Sequence, residues 1–167
     1  ALENNAERVI YTSSDKAAEP YSTMGTTKLV AERLFNAANW SRGKRRTIFA
    51  SVRFGNVMGT RGGVIPLWKN QILSGKSITV TDPEMQRFMM SMNQAVKLII
   101  RCANNMRRSG GTFILKMPVI KIIDLAEVII HEYDEYHFTR TKIIGKKPGE
   151  TKFELLMSDK EREIATE

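Results

Sequence analysis

The stretch Ser13-Ser14-Asp15-Lys16-Ala17 ends a β-branched and aromatic run that begins at Arg8. A second polar cluster, Met24-Gly25-Thr26-Thr27-Lys28, stands where the next helix is predicted to begin. Together the two clusters bring two lysines, a carboxylate and several hydroxyls to one strand-to-helix junction. In open α/β sheets, ligands bind and chemistry takes place at the carboxyl ends of the strands. This region therefore predicts both an α/β fold and the position of a site.

Strands and helices alternate along the rest of the chain. Short β-branched or aromatic runs predict strands at residues 8–13, 48–54, 78–80, 87–91, 112–115 and 141–144. Apolar residues at helical spacing predict helices at residues 24–40, 66–75, 93–106 and 122–133, and Ser22 or Thr23 can cap the first of them. The alternation indicates parallel βα units in a layered fold.

The bulk composition indicates one soluble globular domain. The chain has 167 residues, 42% of them hydrophobic, which is enough for a single core, and residues 151–167 are expected to fray as a charged tail. No apolar run approaches the roughly 18 residues that span a bilayer, and the polar start shows no secretory signal. Cys102 is the single cysteine, which predicts a buried thiol in a reducing cytoplasm.

The net charge of +8 favours anionic partners, which include nucleic acids, acidic lipids and phosphorylated small molecules. Basic strands interleaved with aromatic residues and recognition-helix motifs are both missing, so nucleic acid is not a predicted partner. His131 and His137 are six residues apart, which is unlike the spacing of a helical zinc site, and no metal is predicted. The glycine-rich turn Gly-x-Gly-x-x-Gly that seats a dinucleotide is also missing.

The two clusters at the first junction contain groups suited to acid–base chemistry. Met24 and Lys28 are one helical turn apart, so they lie on one face near the amino end of the helix. That end of the helix dipole, with Lys16 across the loop, attracts phosphate or a hydroxylate. Asp15 beside Lys16 supplies an acid and a base in one place. A salt bridge at the strand end, with ordinary surface lysines, is the alternative.

Four blocks of sequence resemble one family in the same order. These blocks are residues 13–17, 24–28, 52–66 and 81–88, and they are similar to the polysaccharide-biosynthesis nucleotide-sugar 4,6-dehydratases, which are extended short-chain dehydrogenase/reductases. The likeness runs from about Arg8 to Glu150. It implies the carboxyl-terminal half of a Rossmann-like fold with a small substrate-binding part. On this view a partial Rossmann half covers about 1–60 and the substrate-binding part about 61–150, followed by the tail.

The resemblance implies a transient redox reaction on a UDP-sugar. Hydride leaves the sugar C4 for a nicotinamide, water is eliminated across C5 and C6, and the hydride returns to C6. Asp15 would be the acid for the C6 hydroxyl, Lys16 the base at C5, and Ser14 the hydrogen-bond partner of the C4 hydroxyl. Lys28 would hold the nicotinamide ribose, and Ser13 would also contact the cofactor, NAD or NADP.

Met24 occupies the place where most short-chain dehydrogenases carry a catalytic tyrosine. A thioether neither gives nor takes a proton, so the base for the C4 hydroxyl is unassigned, with Lys16 a candidate substitute. Methionine here is similar to a subset of these dehydratases.

The resemblance also implies a set of substrate-binding residues. Asn56, Arg61 and Arg87, together with Arg53, match family positions on the nucleotide-sugar side, where guanidinium groups pair with a diphosphate. Glu150 belongs to Lys147-Pro148-Gly149-Glu150, which resembles the Arg-Pro-Gly-Glu of the family. Residues 151–154 depart from the usual sequence that follows it.

Two functions follow as hypotheses. The first is a nucleotide-sugar 4,6-dehydratase, a lyase of surface polysaccharide or glycan biosynthesis with a substrate like UDP-N-acetylglucosamine. Because the main phosphate-binding loop is absent from this chain, we expect the chain alone to be inactive and a separate amino-terminal half to be a candidate partner. The alternative is a catalytically inactive binding or dimerisation module that forms a homo-oligomer through helix 24–40.

Overall fold

The computed structural model describes residues 1–107, 110–136 and 138–167. In these residues the strands β1 to β8 are Arg8–Ser14, Ile48–Phe54, Asn56–Val57, Ile78–Val80, Gln86–Met90, Thr112–Ile114, Val119–Lys121 and Thr141–Ile143. The helices α1 to α5 are Thr23–Ser41, Val64–Leu73, Met92–Asn105, Ile122–Tyr133 and Asp159–Ile164. The four predicted helices and six predicted strands are confirmed to within one residue at each end, except α2, which begins and ends two residues before its predicted bounds. The sequence did not indicate β3 or β7, which have only two and three residues.

The chain divides into two compact units, and each combines separate parts of the sequence. The sheet unit contains Ala1–Gly55, Met92–Lys116 and Leu155–Glu167, and the second unit contains Asn56–Ser91 and Met117–Glu154. The units are therefore interleaved in sequence, unlike the consecutive parts 1–60 and 61–150 that the resemblance implied.

The sheet unit is built on three parallel strands in the order β1-β2-β6. Seven residues of β1 pair with β2 in register, from Arg8 opposite Ile48 to Ser14 opposite Phe54. On one face of the sheet, Ala50 and Val52 pack against Leu98 and Cys102 of α3. Each large apolar side chain buried in this way contributes about 1.5 to 3 kcal/mol. The Cys102 thiol is buried as predicted, and burial raises its pKa to about 11.

Helix α1 lies on the sheet with its polar side inward. Its buried residues are Gly25, Glu32 and Asn39, whereas Leu34 and Trp40 are exposed. The Asn39 amide pairs with the β2 backbone like a strand residue, because its Nδ2 donates to the Phe49 carbonyl at 2.7 Å and its Oδ1 accepts from the Phe49 N–H at 2.9 Å. The apolar stripe that predicted this helix is therefore divided: Phe35 contacts the Tyr11 and Phe49 rings of the sheet, whereas Val30 and Leu34 are exposed.

Gly25 allows α1 to approach the preceding turn closely. A Cβ at this position would lie 2.5 Å from the Lys16 carbonyl oxygen, which is shorter than any normal contact. A larger residue would push the start of α1 away from the Ser14–Lys16 turn.

The carboxyl-terminal residues do not fray as predicted. Ser158 and Glu161 form a capping box at the start of α5, in which each side chain bonds the backbone N–H of the other residue. Leu155–Glu167 therefore belongs to the sheet unit, and residues 151–154 belong to the second unit.

The second unit contains small sheets and two helices. Strand β3 pairs with β5 in parallel, β5 pairs with β7 in antiparallel orientation, and β4 pairs with β8 in parallel. The predicted parallel pairing is present at β3, β4, β5 and β8, and the antiparallel strand β7 is an addition that the sequence did not indicate. Its core joins α2 and α4 to β4 through Trp68, Ile72, Ile78 and Ala126. No helix in the described part of the chain has the length and apolar character that a bilayer crossing requires.

Candidate active site at the end of strand β1

The turn Ser14-Asp15-Lys16 gathers three donors on one carboxylate oxygen. Strand β1 ends at Ser14, which caps a single 3-10 turn, Asp15–Ala17. Asp15 Oδ1 accepts from the Ser14 hydroxyl at 2.6 Å, from the Lys16 N–H at 2.8 Å and from Lys16 Nζ at 3.1 Å. The Asp15 side chain is only 1% exposed. The structure therefore joins the predicted acid, base and hydroxyl in one hydrogen-bonded group, and the Asp15–Lys16 ion pair also fits the salt-bridge alternative.

Lys28 lies against the same strand. Ser22 caps α1 by accepting from the Gly25 N–H at 3.1 Å, and this fixes the start of the helix. One turn further, Lys28 Nζ donates to the Thr12 carbonyl at 3.0 Å and lies 5.0 Å from the centre of the Tyr11 ring. The ammonium is thus held beside β1, two residues before Ser14. Met24 is about half exposed near the amino end of the helix.

Ser13 carries an unpaired buried hydroxyl. The residue is 4% exposed, and its Oγ has no hydrogen-bond partner within the described structure. Buried polar groups almost always have a partner, so this hydroxyl suits a bound ligand or a water.

Arg53 does not have the role that the resemblance implied. Its side chain is 1% exposed, and all five of its N–H groups are engaged. Nε and one Nη bond the Glu32 carboxylate at 2.9 and 2.6 Å, and the two Nη atoms bond the Glu161 carboxylate at 2.9 and 2.8 Å. The fifth N–H donates to the Leu156 carbonyl at 2.9 Å. No donor remains for a diphosphate, so the prediction that Arg53 contacts the nucleotide sugar is wrong.

The partners of Arg53 are two residues that sequence reasoning missed. Glu32 lies four residues after Lys28 on the inner side of α1, and this spacing was the available signal. Glu161 gave no signal, because it lies 108 residues beyond Arg53 in a segment that was expected to fray. Burial raises the pKa of Glu161, but hydrogen bonds from Arg53 and Ser158 outweigh this effect and lower it to about 2.

The predicted substrate-binding residues Asn56, Arg61, Arg87 and Glu150 belong to the second unit. Asn56 begins β3, opposite Met89 of β5, and Arg61 is exposed in the following loop. The Glu150 carboxylate accepts from the Lys147 N–H at 2.9 Å. Their role in binding a sugar stays a prediction.

Arg87 holds the segment that follows Glu150. It is nearly buried, and its guanidinium donates to the carbonyls of Gln86 at 2.7 Å, Thr151 at 2.9 Å and Lys152 at 3.2 Å. Its Nε also lies 3.4 Å from a Glu154 carboxylate oxygen. These contacts give Arg87 a place in the fold of the second unit, beside a small cavity lined by Phe88, Phe153 and neighbouring residues.

Metal-binding side chains do not cluster in the described residues. No group of three or more His, Cys, Asp or Glu side chains there could hold an ion. His137, one of the two histidines considered from the sequence, lies outside the described residues.

The parallel sheet, the Ser-Asp-Lys turn and the helix lysine beside it define the class of the protein as a Rossmann-like extended short-chain dehydrogenase/reductase. The chain belongs to the family described as "Polysaccharide biosynthesis protein", whose sequence profile matches residues 1–167. The expected family and fold are thereby confirmed.

Individual relatives agree with this placement. The chain is 38% identical over 168 residues to a UDP-N-acetylglucosamine 4,6-dehydratase (inverting) of Campylobacter jejuni, covering 99% of this chain and 48% of that protein. It superimposes on Pen from Bacillus thuringiensis with a TM-score of 0.91 and 49% identity, over 96% of this chain and 50% of the other. A dTDP-glucose 4,6-dehydratase from Streptomyces venezuelae, solved with NAD, shares the fold at a TM-score of 0.78 and 17% identity, over 98% and 55% of the two chains. The chain thus spans about half the length of these relatives.

Proposed function

We propose that this chain supplies the acid–base residues and the sugar-binding residues of a nucleotide-sugar 4,6-dehydratase that acts on a UDP-N-acetylglucosamine-like substrate. The observation that carries the proposal is the group formed by Ser14, Asp15 and Lys16 around one buried carboxylate oxygen, with Lys28 of α1 bonded to the same strand, β1. The Campylobacter relative, whose name gives this reaction, supports it.

The elimination needs two proton transfers. A base must remove the proton from one sugar carbon, and an acid must protonate the hydroxyl on the next carbon. Lys16, as the free amine, takes the C5 proton, and Asp15, as the acid, gives a proton to the leaving C6 hydroxyl, so that one water is released. The direct contact of Lys16 Nζ with Asp15 Oδ1 lets the proton taken from C5 pass to Asp15, which replaces the proton given to the leaving water. The proton that the C4 hydroxyl loses balances the one that C5 regains when hydride returns to C6, and the base that carries it is unassigned. Ser14 orients the C4 hydroxyl.

NAD or NADP fits the residues next to this group. The buried Ser13 hydroxyl lacks a partner, and Lys28 uses one of its three N–H groups on Thr12, so both can contact a ribose or nicotinamide. When bound, the cofactor supplies transient acceptance of the C4 hydride and its return to C6. Lys28 would hold the ribose, with Ser13 beside it. The choice between NAD and NADP is left open by these residues.

The cofactor phosphates require residues that this sequence does not contain. In the described residues β1 pairs with β2 alone, so its other edge is available for strand pairing. We infer that a half with a glycine-rich turn, on the same polypeptide or on a second one, adds there, and that these 167 residues alone are inactive. The cytoplasm, where the Cys102 thiol stays reduced, is the proposed location.

A dimerisation module is the second candidate function, and one observation favours it. Val30 and Leu34 lie one turn apart and form an exposed apolar patch on α1, and Trp40 is exposed near the end of the helix. An apolar face of this kind is typical of a subunit interface. We infer a homo-oligomer in which α1 packs against α1 of a second copy, with or without catalytic activity.

The experiment combines this chain with an amino-terminal half that carries the glycine fingerprint. Conversion of UDP-N-acetylglucosamine is followed by mass spectrometry as the loss of one water. We expect turnover by the pair, at least about a hundredfold less with Asp15→Asn or Lys16→Met, and none without the added half. Asp159→Asn and Lys160→Met alter an exposed Asp-Lys pair and should leave turnover unchanged. Binding of UDP without conversion would contradict the enzyme role, and no heat with UDP in calorimetry would favour the assembly module.

A further inference from the structure

Three separate segments of the sheet unit meet at Arg53. The arginine lies on β2, opposite Ser13 of β1, and it bonds Glu32 on α1. Its remaining contacts are Glu161 and the Leu156 carbonyl, both in the carboxyl-terminal residues. We call these four groups the Arg53 network. Lys28 is not part of it but lies one turn before Glu32 on the same face of α1.

The network determines where α1 lies along the sheet. The guanidinium is a rigid planar fork, and both of its bonds to Glu32 are shorter than 3 Å, so their geometry is restrictive. A helix advances about 1.5 Å per residue, and a slide of α1 by that amount would break both bonds. The same slide would change the 3.0 Å contact of Lys28 Nζ with the Thr12 carbonyl.

The carboxyl-terminal residues complete the network. Glu161 and the Leu156 carbonyl accept three of the five N–H groups of Arg53. Without them, three buried donors would need other partners, and the guanidinium would rotate or draw in water. The Ser158 capping box fixes Glu161 in turn, so the orientation of Arg53 depends on an ordered α5.

We propose that Arg53 is a positioning residue, through which Leu155–Glu167 holds the Lys28 ammonium in place at the end of β1. The arginine does not touch substrate or cofactor in this role. It fixes the position of α1 along the sheet, and α1 carries Lys28. The proposal rests on the proposed function only for the role of Lys28, which is to hold the cofactor ribose. The coupling between Leu155–Glu167 and Lys28 is a property of the chain without ligands.

The test measures the reactivity of Lys28 in the 167-residue chain without cofactor or sugar. Trace labelling with isotopic acetic anhydride, read by mass spectrometry, compares acetylation of Lys28 with that of Lys76, an exposed lysine of the second unit. Its contacts with Thr12 and Tyr11 should make Lys28 the slower of the two. We expect Glu161→Gln to raise the ratio of Lys28 to Lys76 at least about threefold, because α1 is then free to shift. Glu163→Gln, an exposed carboxylate on the same helix, should leave the ratio unchanged.

The labelling is done well below the melting temperature of each variant, so that a loss of stability alone does not alter the ratio. An unchanged ratio in Glu161→Gln, or an equal rise in Glu163→Gln, overturns the proposal. If Glu161→Gln does not fold, Glu161→Asp keeps the charge but shortens the side chain, and it should raise the ratio by a smaller factor. No change in that folded variant also overturns the proposal. A responsive ratio in a chain whose reconstituted complex never converts the sugar would reject the dehydratase role and leave this coupling intact.

Discussion

Replacing Arg53 by methionine should strongly destabilise the sheet unit. The Glu32 side chain is 3% exposed, and the substitution leaves its carboxylate buried without a cation. Removing one partner of a buried ion pair costs about 3 to 5 kcal/mol. Glu161 adds little to this cost, because its side chain is 30% exposed and can turn towards water. Since about 1.4 kcal/mol is a tenfold change, protection of β2 amides from hydrogen exchange should fall by a factor of about 10² to 4 × 10³.

Hydrogen–deuterium exchange with mass spectrometry measures this effect one segment at a time. Peptides that cover β1 and β2 should lose protection, whereas peptides from α4 in the second unit serve as the internal control. Adding Glu32→Leu to Arg53→Met removes the orphaned charge and should restore most of the protection, because an apolar pair of similar size replaces the ion pair. A fall in β2 protection of less than about tenfold, or a double variant less protected than the single one, would refute this reasoning.

Three further predictions follow from the same structure. Acid should destabilise the sheet unit between about pH 5 and pH 2, because the pKa of Glu161 is about 2 in the folded chain and 4.5 ordinarily. The stability that this shift gives is present above pH 4.5 and is lost as the pH falls towards 2. The carboxylate is partly exposed and screened, so the loss is about 1 to 2 kcal/mol, and a Glu161→Gln variant should lack this step in a plot of melting temperature against pH. Leu34→Glu should convert the proposed oligomer to monomers in light scattering without lowering the melting temperature, while Leu73→Glu, with 68% exposure against 65% for Leu34, should leave its mass unchanged. Asn39→Asp replaces the donor to the Phe49 carbonyl with an acceptor and should cost about 1 to 3 kcal/mol; a melting temperature within about 2 °C of the wild type would contradict that hydrogen-bond assignment.

The elements that sequence predicted well are those whose signal is local. Strand β2 reads as a β-branched run, and α4 has clear helical spacing, so their bounds follow from patterns within a few residues. The orientation of α1 was not accessible in this way, because Val30 and Leu34 of its apolar stripe are exposed, whereas polar Glu32 and Asn39 are buried against the sheet. Hydrophobic periodicity identifies a helix, but it indicates the buried side only when the apolar side is the one that packs.

In the candidate site, too, contacts between residues close in sequence could be predicted and contacts between distant residues could not. Ser14, Asp15 and Lys16 are adjacent in sequence, so their contact at the end of a strand could be predicted from the chain itself. The engagement of Arg53 could not, since it depends on the carboxylate of Glu161 in the first turn of α5, 108 residues further along the chain. A motif position indicates the residue type that a family carries there, and only the surrounding packing shows whether its hydrogen bonds are already used.

The inward polar side of α1 has a consequence for protein engineering. Solubility design commonly exchanges outward apolar residues for charged ones and fills inner positions with aliphatic ones. On this helix the first change would remove the surface proposed for assembly, and the second would replace Glu32 and Asn39, which tie the helix to β2. Variants chosen by hydrophobicity alone would therefore lose the hydrogen bonds between α1 and β2. Outward substitutions alone offer a way to obtain isolated, folded subunits for study.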